Sequence, residues 1–426
     1  MKVLKTSWLV YMIAVAFLLC VFPIRAQETP PEQPPQQPAE TTPPSPPQNV
    51  VLFSWDGLDR MVVWELLAKQ KLPNLAALIR EGSLQEIDVV LHVTVTKPGH
   101  TTMLTGLDPE TTGVFSNSDY RPIPEGYTIF ERVQKHFGGK EAIRTFMVTA
   151  KIAHVGGRGP DEIGESTKKD KQKSKVAPGA DDSPDVEAQG EPFFLTRKNL
   201  DVFDSDQREA TETGPLCLKY LTQFKEPRFL AFLHFSDPDH SGHKHGRDSQ
   251  EYRDAAVACD VWLGKVVEWL KQEKLYDKTI IYVTTDHGFD EHASSHSNAP
   301  DSWLATNDKD VTHGGMLADV PATILARFGL SVDKLEPGLV GVPLTGPAET
   351  AAAESGKGKL SAEEAKTKAL EQIKANDKDG DGKLSAEELP SEFARSFSRI
   401  DADGDGFVSE DELSKALVRQ SKRKRK

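Results

Sequence analysis

Cysteine is nearly absent. Three occur in 426 residues, and Cys20 lies in an apolar run near the amino terminus. Cys217 and Cys259 remain for a disulfide, which would form only in an oxidising compartment. Cys259 also falls on the apolar face of a predicted helix, where cysteine serves as a small core residue. Positive charge is the next shortage. Fifty-two Lys and Arg against 65 Asp and Glu give a formal net charge of −13. That argues against sequence-specific or general nucleic-acid binding, because phosphate backbones are held by Lys and Arg. It leaves open a small anionic substrate held by metal ions. Apolar residues reach only 38%, low for a single compact fold, so part of the length is expected outside a core. Long apolar runs are missing too: Trp8–Phe22 is short for a membrane span.

That run has the features of export. Lys2 and Lys5 precede it and Ala26 offers a cleavage edge, so residues 1–26 read as a signal peptide, with an uncleaved anchor as the alternative. Phe17-Leu18-Leu19 lack the small residue that bacterial lipidation at Cys20 needs. Residues 27–49, mostly Pro, Gln, Glu and Thr, read as a stiff linker with nothing to bury. The expectation is an exported protein: periplasmic, at the cell surface or extracellular.

The length suffices for one large domain and a smaller module. Short apolar runs at Val50–Phe53, Ile87–Val95, Ile143–Val148, Phe229–Phe235 and Thr279–Val283 predict buried parallel strands. Helical patterns lie between them, at Met61–Ile79 and Tyr252–Leu270. Together they predict an α/β domain over residues 50–347, a mainly parallel sheet flanked by helices. Residues 158–192, rich in charge, Gly and Pro, read as a mobile surface insertion. Residues 348–359 read as a linker, and 419–426 as a basic tail. The tail's alternatives are peripheral contact with an anionic envelope or membrane surface and a frayed solvated end, the latter preferred.

Sites in open α/β sheets form beyond the carboxyl ends of the strands. There the chain places Asp56, Thr96, Asp239 with His243, and Asp286 with His287; His313 stands in a loop before a helical stretch. Carboxylates converging on one sheet edge would repel, and two divalent cations would resolve that. Mixed Asp and His donors suit zinc, with manganese or iron as alternatives.

These residues resemble the alkaline phosphatase superfamily, and within it the type I phosphodiesterase/nucleotide pyrophosphatase branch. The resemblance is carried by Trp55-Asp56-Gly57, Thr96-Lys97-Pro98-Gly99-His100, Pro238-Asp239 with Gly242-His243, Asp286-His287-Gly288 and His313-Gly314-Gly315, in that order. It implies one ion on Asp239, His243 and His313, and another on Asp56, Asp286, His287 and the Thr96 oxygen. It implies Thr96 as nucleophile through a phospho-Thr intermediate, with Asn117 and the backbone N–H after Thr96 stabilising phosphoryl oxygens. Lys97 and Gly99 depart from the pattern, since such phosphodiesterases more often carry an aromatic residue and Asn there. Lys151 resembles a lysine of Thr-dependent alkaline phosphatases, although Ala153 stands where an Arg would follow; a surface lysine is the competing reading. The expected substrate is a small phosphate diester or pyrophosphate, with a monoester second. No Cys/Ser-x-Pro-x-Arg motif of the sulfatases occurs. His240, His245, His292 and His296 read as loop residues, a third metal site at His292 and His296 being the lesser alternative.

A second resemblance covers residues 360–418. Asp377, Asp379, Asp381, Lys383, Ser385 and Glu388 occupy positions 1, 3, 5, 7, 9 and 12 of a twelve-residue calcium loop, with Gly382 at 6. Asp401, Asp403, Asp405, Phe407, Ser409 and Glu412 repeat it. This resembles an EF-hand pair, a small all-α module, and Leu384 and Val408 are expected to bridge the loops. The close spacing makes one short helix, about 389–400, serve both loops, which fits constitutive calcium binding better than a switch. The competing function is a calcium-dependent surface-attachment protein with an inactive hydrolase domain.

Overall fold

The computed structural model describes residues 48–163, 190–346, 362–385, 388–389, 400 and 406–421. The expected signal peptide, nearly all of the linker after it, most of the insertion, the 348–359 linker and most of the tail lie outside the described residues.

The strands are β1 Asn49–Trp55, β2 Ser83–Asp88, β3 Arg144–Thr149, β4 Val202–Ser205, β5 Phe229–Phe235, β6 Thr279–Thr284, β7 Asp301–Thr306 and β8 Gly315–Met316. They form one sheet in the order β4-β3-β5-β1-β6-β7-β2-β8. All run parallel except β7, which is antiparallel to both β6 and β2.

β1 lies at the centre and is buried along its whole length. Its side chains alternate between two cores: Val51, Phe53 and Trp55 face one, Val50 and Leu52 the other. β5 divides in the same way. A strand covered on both faces needs apolar residues at every position, which is why these runs were continuous in sequence. Helices Arg60–Ala68, Pro73–Glu81, Ala210–Gln223 and Gln250–Gln272 cover the first face, and Thr96–Thr105, Ile129–Phe137 and Asp319–Arg327 the second.

Several expectations are corrected. The Ile87–Val95 run is not one strand: β2 ends at Asp88 and an irregular segment leads to a helix starting at Thr96. The single helix expected over Met61–Ile79 is two, broken at Gln70, whose φ is +56°, and restarted by Pro73. Proline fits a first helical turn, where its missing N–H costs nothing. Asn49 belongs to the sheet rather than the linker, since its side chain donates to Thr279 Oγ1 and accepts from the Phe229 N–H. Both ends of the 158–192 insertion are anchored: buried Glu191 accepts from the Arg158 backbone and guanidinium at 2.6 and 2.7 Å. Cys217 and Cys259 are both free and buried.

The carboxyl-terminal segment has its own core, including Ala365, Ala369, Leu384, Val408 and Leu413. As expected, Leu384 pairs with Val408 across two short antiparallel strands. Among the described residues no helix is long and apolar enough to cross a membrane.

Candidate active site

The site lies at the carboxyl edge of β1, β3, β5 and β6. Thr96 is the first residue of the helix Thr96–Thr105 and is 1% exposed. A helix start offers unpaired N–H groups and a positive dipole end, a setting that favours an anion. Pro98 suits this first turn. Gly99 has a different reason: a Cβ there would lie 2.8 Å from Asp286 Cβ. The helix that starts at Thr96 and the β6 loop can meet only because that side chain is absent.

Three buried carboxylates converge. Asp56 follows β1, Asp286 follows β6, and Asp239 lies in the helix Asp237–His245, which replaces the loop expected there. The Lys151 ammonium sits among them. It donates to Asp239 at 2.6 Å, to Asp56 at 3.2 Å and to the Thr96 hydroxyl oxygen at 3.0 Å. Burial and the neighbouring Asp286 push the Asp56 carboxyl upward, yet Lys151 and His234 bring it below its ordinary value. Burial also opposes ionisation of Asp239, and Lys151 and the nearby imidazoles outweigh it.

Two groups of donors fit divalent cations. In the first, His287 donates Nδ1–H to the Gly288 carbonyl, which leaves its Nε2 lone pair free. That Nε2 stands 3.3 Å from Asp286 and 3.8 Å from Asp56. His287 Nε2 is buried without a hydrogen-bond partner, and Asp286 Oδ2 has beside it, apart from that Nε2, only the His100 Nδ1 at 3.2 Å. Buried lone pairs left open in this way are costly, and a cation would satisfy them. The second group is Asp239, His243 and His296. Asp239 and His243 are four apart on one helix and therefore share a face. His243 donates Nδ1–H to the Ser294 carbonyl and His296 donates Nδ1–H to the Thr94 carbonyl. Their Nε2 atoms face each other at 3.0 Å, beside an Asp239 Oδ1 that has no hydrogen-bond partner. Two lone pairs at that distance require a proton or a cation between them.

His313 is not in this group. Gly315 pairs with Ile87 of β2, so His313 is level with Gln85, and β8 is three strand positions from β6. That separation is about 14 Å at the usual interstrand spacing. His313 donates Nδ1–H to the Gly314 carbonyl. Among the described residues, no hydrogen bond or ion pair joins it to Asp239 or His243. The imidazole that meets Asp239 and His243 is His296, from a stretch expected to be a solvated loop.

Two further histidines went unassigned. His234 accepts from the Ala150 N–H at Nδ1, so Nε2–H donates to Asp56 at 3.0 Å. His100 places Nδ1 3.0 Å from the Thr96 carbonyl and 3.2 Å from Asp286. With those nitrogens protonated, both rings orient carboxylates rather than bind a metal. A histidine inside the apolar strand Phe229–Phe235 was the available signal for His234.

Asn117 lies beside the helix that starts at Thr96: its Oδ1 accepts from the Lys97 N–H at 2.9 Å. The two groups expected to hold phosphoryl oxygens therefore hold each other here. In the first EF-hand loop, Asp377, Asp379 and Glu388 converge. Backbone N–H groups of Ser385 and Lys378 lower the Glu388 carboxyl to about 2. Asp401, Asp403 and Asp405 lie outside the described residues; Ser409 donates to Glu412 as Ser385 does to Glu388.

The family profile of type I phosphodiesterase / nucleotide pyrophosphatase matches residues 50–401. The chain belongs to that family. An EF-hand profile matches residues 393–418. Similar curated proteins include ectonucleotide pyrophosphatase/phosphodiesterase family member 5 of Homo sapiens, 24% identical over 66% of this chain and 52% of the relative. Bis(5'-adenosyl)-triphosphatase of Homo sapiens is 24% identical over 57% of this chain and 48% of its own. The chain thus spans about half the length of the curated relatives it matches. Among solved structures, alkaline phosphatase from the Antarctic bacterium TAB5 matches 67% of this chain and 99% of its own, with 13% identity and a TM-score of 0.44.

Proposed function

We propose that this protein hydrolyses phosphodiester or pyrophosphate bonds through a phospho-Thr96 intermediate, with two divalent ions and a calcium-binding carboxyl-terminal module. The observation that carries the reading is the placement of Thr96. Its hydroxyl lies at a helix start beside Lys151, next to two groups of converging Asp and His donors, all buried except the half-exposed His243.

Asp56, Asp286, His287 and Thr96 would hold one ion, and Asp239, His243 and His296 the other. Their donor types suit zinc, with manganese or iron as alternatives. Divalent ions bound there would lower the pKa of the Thr96 hydroxyl and offset charge on the phosphoryl oxygens. The rest falls to the chain. Thr96 Oγ attacks phosphorus and the leaving group departs with its electron pair. Asn117 swings from the Lys97 N–H so that both donate to equatorial oxygens. His100 and His234 hold Asp286 and Asp56 in place. Water then cleaves the phospho-Thr.

Bis(5'-adenosyl)-triphosphatase and the pyrophosphatase/phosphodiesterase relatives support a diester or anhydride substrate. A phosphomonoester is the second reading, favoured by the contact of Lys151 with Thr96, since an ammonium there can balance a dianionic phosphoryl group. Export fits the amino-terminal run, and calcium folding the EF-hand segment without controlling turnover fits the close loop spacing.

The test is metal analysis of the purified protein with bis-p-nitrophenyl phosphate, a nucleoside triphosphate and p-nitrophenyl phosphate as substrates, and Thr96→Ala as control. About two zinc, manganese or iron ions per chain, counted apart from calcium, and activity lost in the mutant are expected. No bound metal, or full activity in Thr96→Ala, overturns the proposal. Strong preference for p-nitrophenyl phosphate selects the monoester reading.

A further inference from the structure

Phe289 follows Asp286-His287-Gly288 and is 2% exposed. Its ring has no lone pair to offer a cation, yet it lies among the candidate ligands. The His243 imidazole is 5.2 Å from it between ring centres, at 66°, and the His296 imidazole 5.3 Å, at 75°. His287 is 6.5 Å away and tilted at 53°. His287 and His296, which belong to different donor groups, stack on each other at 3.9 Å and 23°. Aromatic contacts of this kind are directional, so each ring limits how its neighbours turn.

The surrounding backbone leaves the ring little room. A Cβ at Gly242 would lie 2.5 Å from Phe289 Cζ, and one at Gly57 would lie 3.0 Å from Cε2. Gly57 belongs to the turn after β1 that carries Asp56, and Gly242 to the helix Asp237–His245 that carries Asp239 and His243. Phe289 itself belongs to the segment between β6 and β7 that carries Asp286, His287 and His296. The ring therefore touches all three ligand-bearing segments. Tyr252 packs on it as well, 5.5 Å away at 62°, and its hydroxyl donates to the Gly57 carbonyl and accepts from the Asp59 N–H. The Nδ1–H bonds of His243 and His296 fix one atom of each imidazole. They leave each ring a rotation about that bond, which contact with Phe289 restricts.

We propose that Phe289 is a positioning residue for both ions: its ring sets the orientation and spacing of His243, His287 and His296, so the two donor groups are assembled together. This rests on the two-ion reading above. Groups that orient metal ligands tune affinity without touching the metal. Donors held in place before an ion arrives lose little freedom when it binds. Without the ring, that loss falls on metal affinity, and it falls on both sites because the three imidazoles share one surface.

The experiment measures zinc affinity by chelator competition and the absorption spectrum of the cobalt(II)-loaded protein, with calcium in excess to fill the carboxyl-terminal loops. Wild type is compared with Phe289→Leu and with Phe289→Met, whose longer side chain fills more of the space. Phe146→Leu, a change in the same core at β3, is the control for packing alone. Both Phe289 variants should bind each zinc ion at least tenfold more weakly and shift the cobalt spectrum. Phe146→Leu should lower the thermal midpoint and do neither. Should Phe289→Leu fail to fold, Phe289→Met decides. Wild-type affinity and spectrum in the Phe289 variants overturn the proposal, as does weakening of one ion alone. Equal weakening in Phe146→Leu overturns it too, because general loss of packing then suffices. Wild type that binds neither ion overturns the two-ion reading, and the Phe289 assignment falls with it.

Discussion

His243 and His296 point their Nε2 atoms at each other across 3.0 Å, with each Nδ1–H committed to a backbone carbonyl. Burial, and then His287, lower the His296 imidazole to about 4, whereas the adjacent Asp239 carboxylate raises His243. One ring is thus inclined to stay neutral while the other takes a proton that a cation can replace.

The first prediction separates His296 from His313. Removing one ligand from a three-donor site should cost most of its metal affinity. His296→Ala should lose about one ion per chain and at least about 100-fold in turnover, while His313→Ala keeps both ions. Metal content after gel filtration decides it. Loss of the ion in His313→Ala, with retention in His296→Ala, would restore the assignment implied by the His-Gly-Gly motif.

Lys151 neutralises carboxylates that would otherwise repel. Removing one member of a buried charge group costs about 3–5 kcal/mol. Lys151→Met should therefore destabilise the metal-stripped protein by about that amount and the metal-loaded protein by much less. Melts with and without chelator measure the difference; equal losses in both would refute it.

Gly99→Ala should drive a methyl group into Asp286, about 2.8 Å from its Cβ and 2.9 Å from its backbone oxygen. The overpacking should cost about 1–3 kcal/mol, and turnover should fall at least tenfold because Asp286 moves. Thermal unfolding and kcat together test this, and an unaffected kcat would show that the approach is not needed for chemistry.

His154 gives a pH signature. Burial first, then Lys151 and Lys97, lower its imidazole from 6.5 to about 3. Between those values the unfolded chain binds a proton that the folded chain refuses, so stability is lost as pH falls through that window. The metal-stripped wild type should lose up to roughly 1.4 kcal/mol per pH unit more than His154→Asn there. Parallel stability curves for the two proteins would contradict it.

The central sheet was legible because β1, β5 and β6 are buried on both faces, so each wrote an unbroken apolar run. Ile87–Val95 gave the same signal for another reason. Val89 and Leu91 are buried from an irregular segment, and apolar content alone does not distinguish a strand from a packed loop. β7 was missed because Asp301 and Ser302 open it with polar side chains. Asp56, Thr96, Asp239, His243, Asp286 and His287 were legible as candidates because each sits just beyond an apolar run, and the structure brings them together. His296 sits in Glu291–Asn298, where nothing periodic marks a partner, and its role depends on Thr94 and His243, distant in sequence. His313 was drawn in by the motif around it, and the sheet register places it beside β2, with its Nε2 buried and unpartnered there.

The reversal of β7 has a larger meaning for the site. Because β6 ends at the functional edge and β7 begins there, the chain from Thr285 to Pro300 never leaves that edge. Asp286, His287 and His296 all come from this one crossing, so both candidate metal positions draw on a single stretch whose ends the sheet fixes and whose middle it does not. Shortening or lengthening that stretch would retune one metal position while leaving every strand in register. In this architecture the third imidazole is a matter of loop length, and an engineer could move it without redesigning the fold.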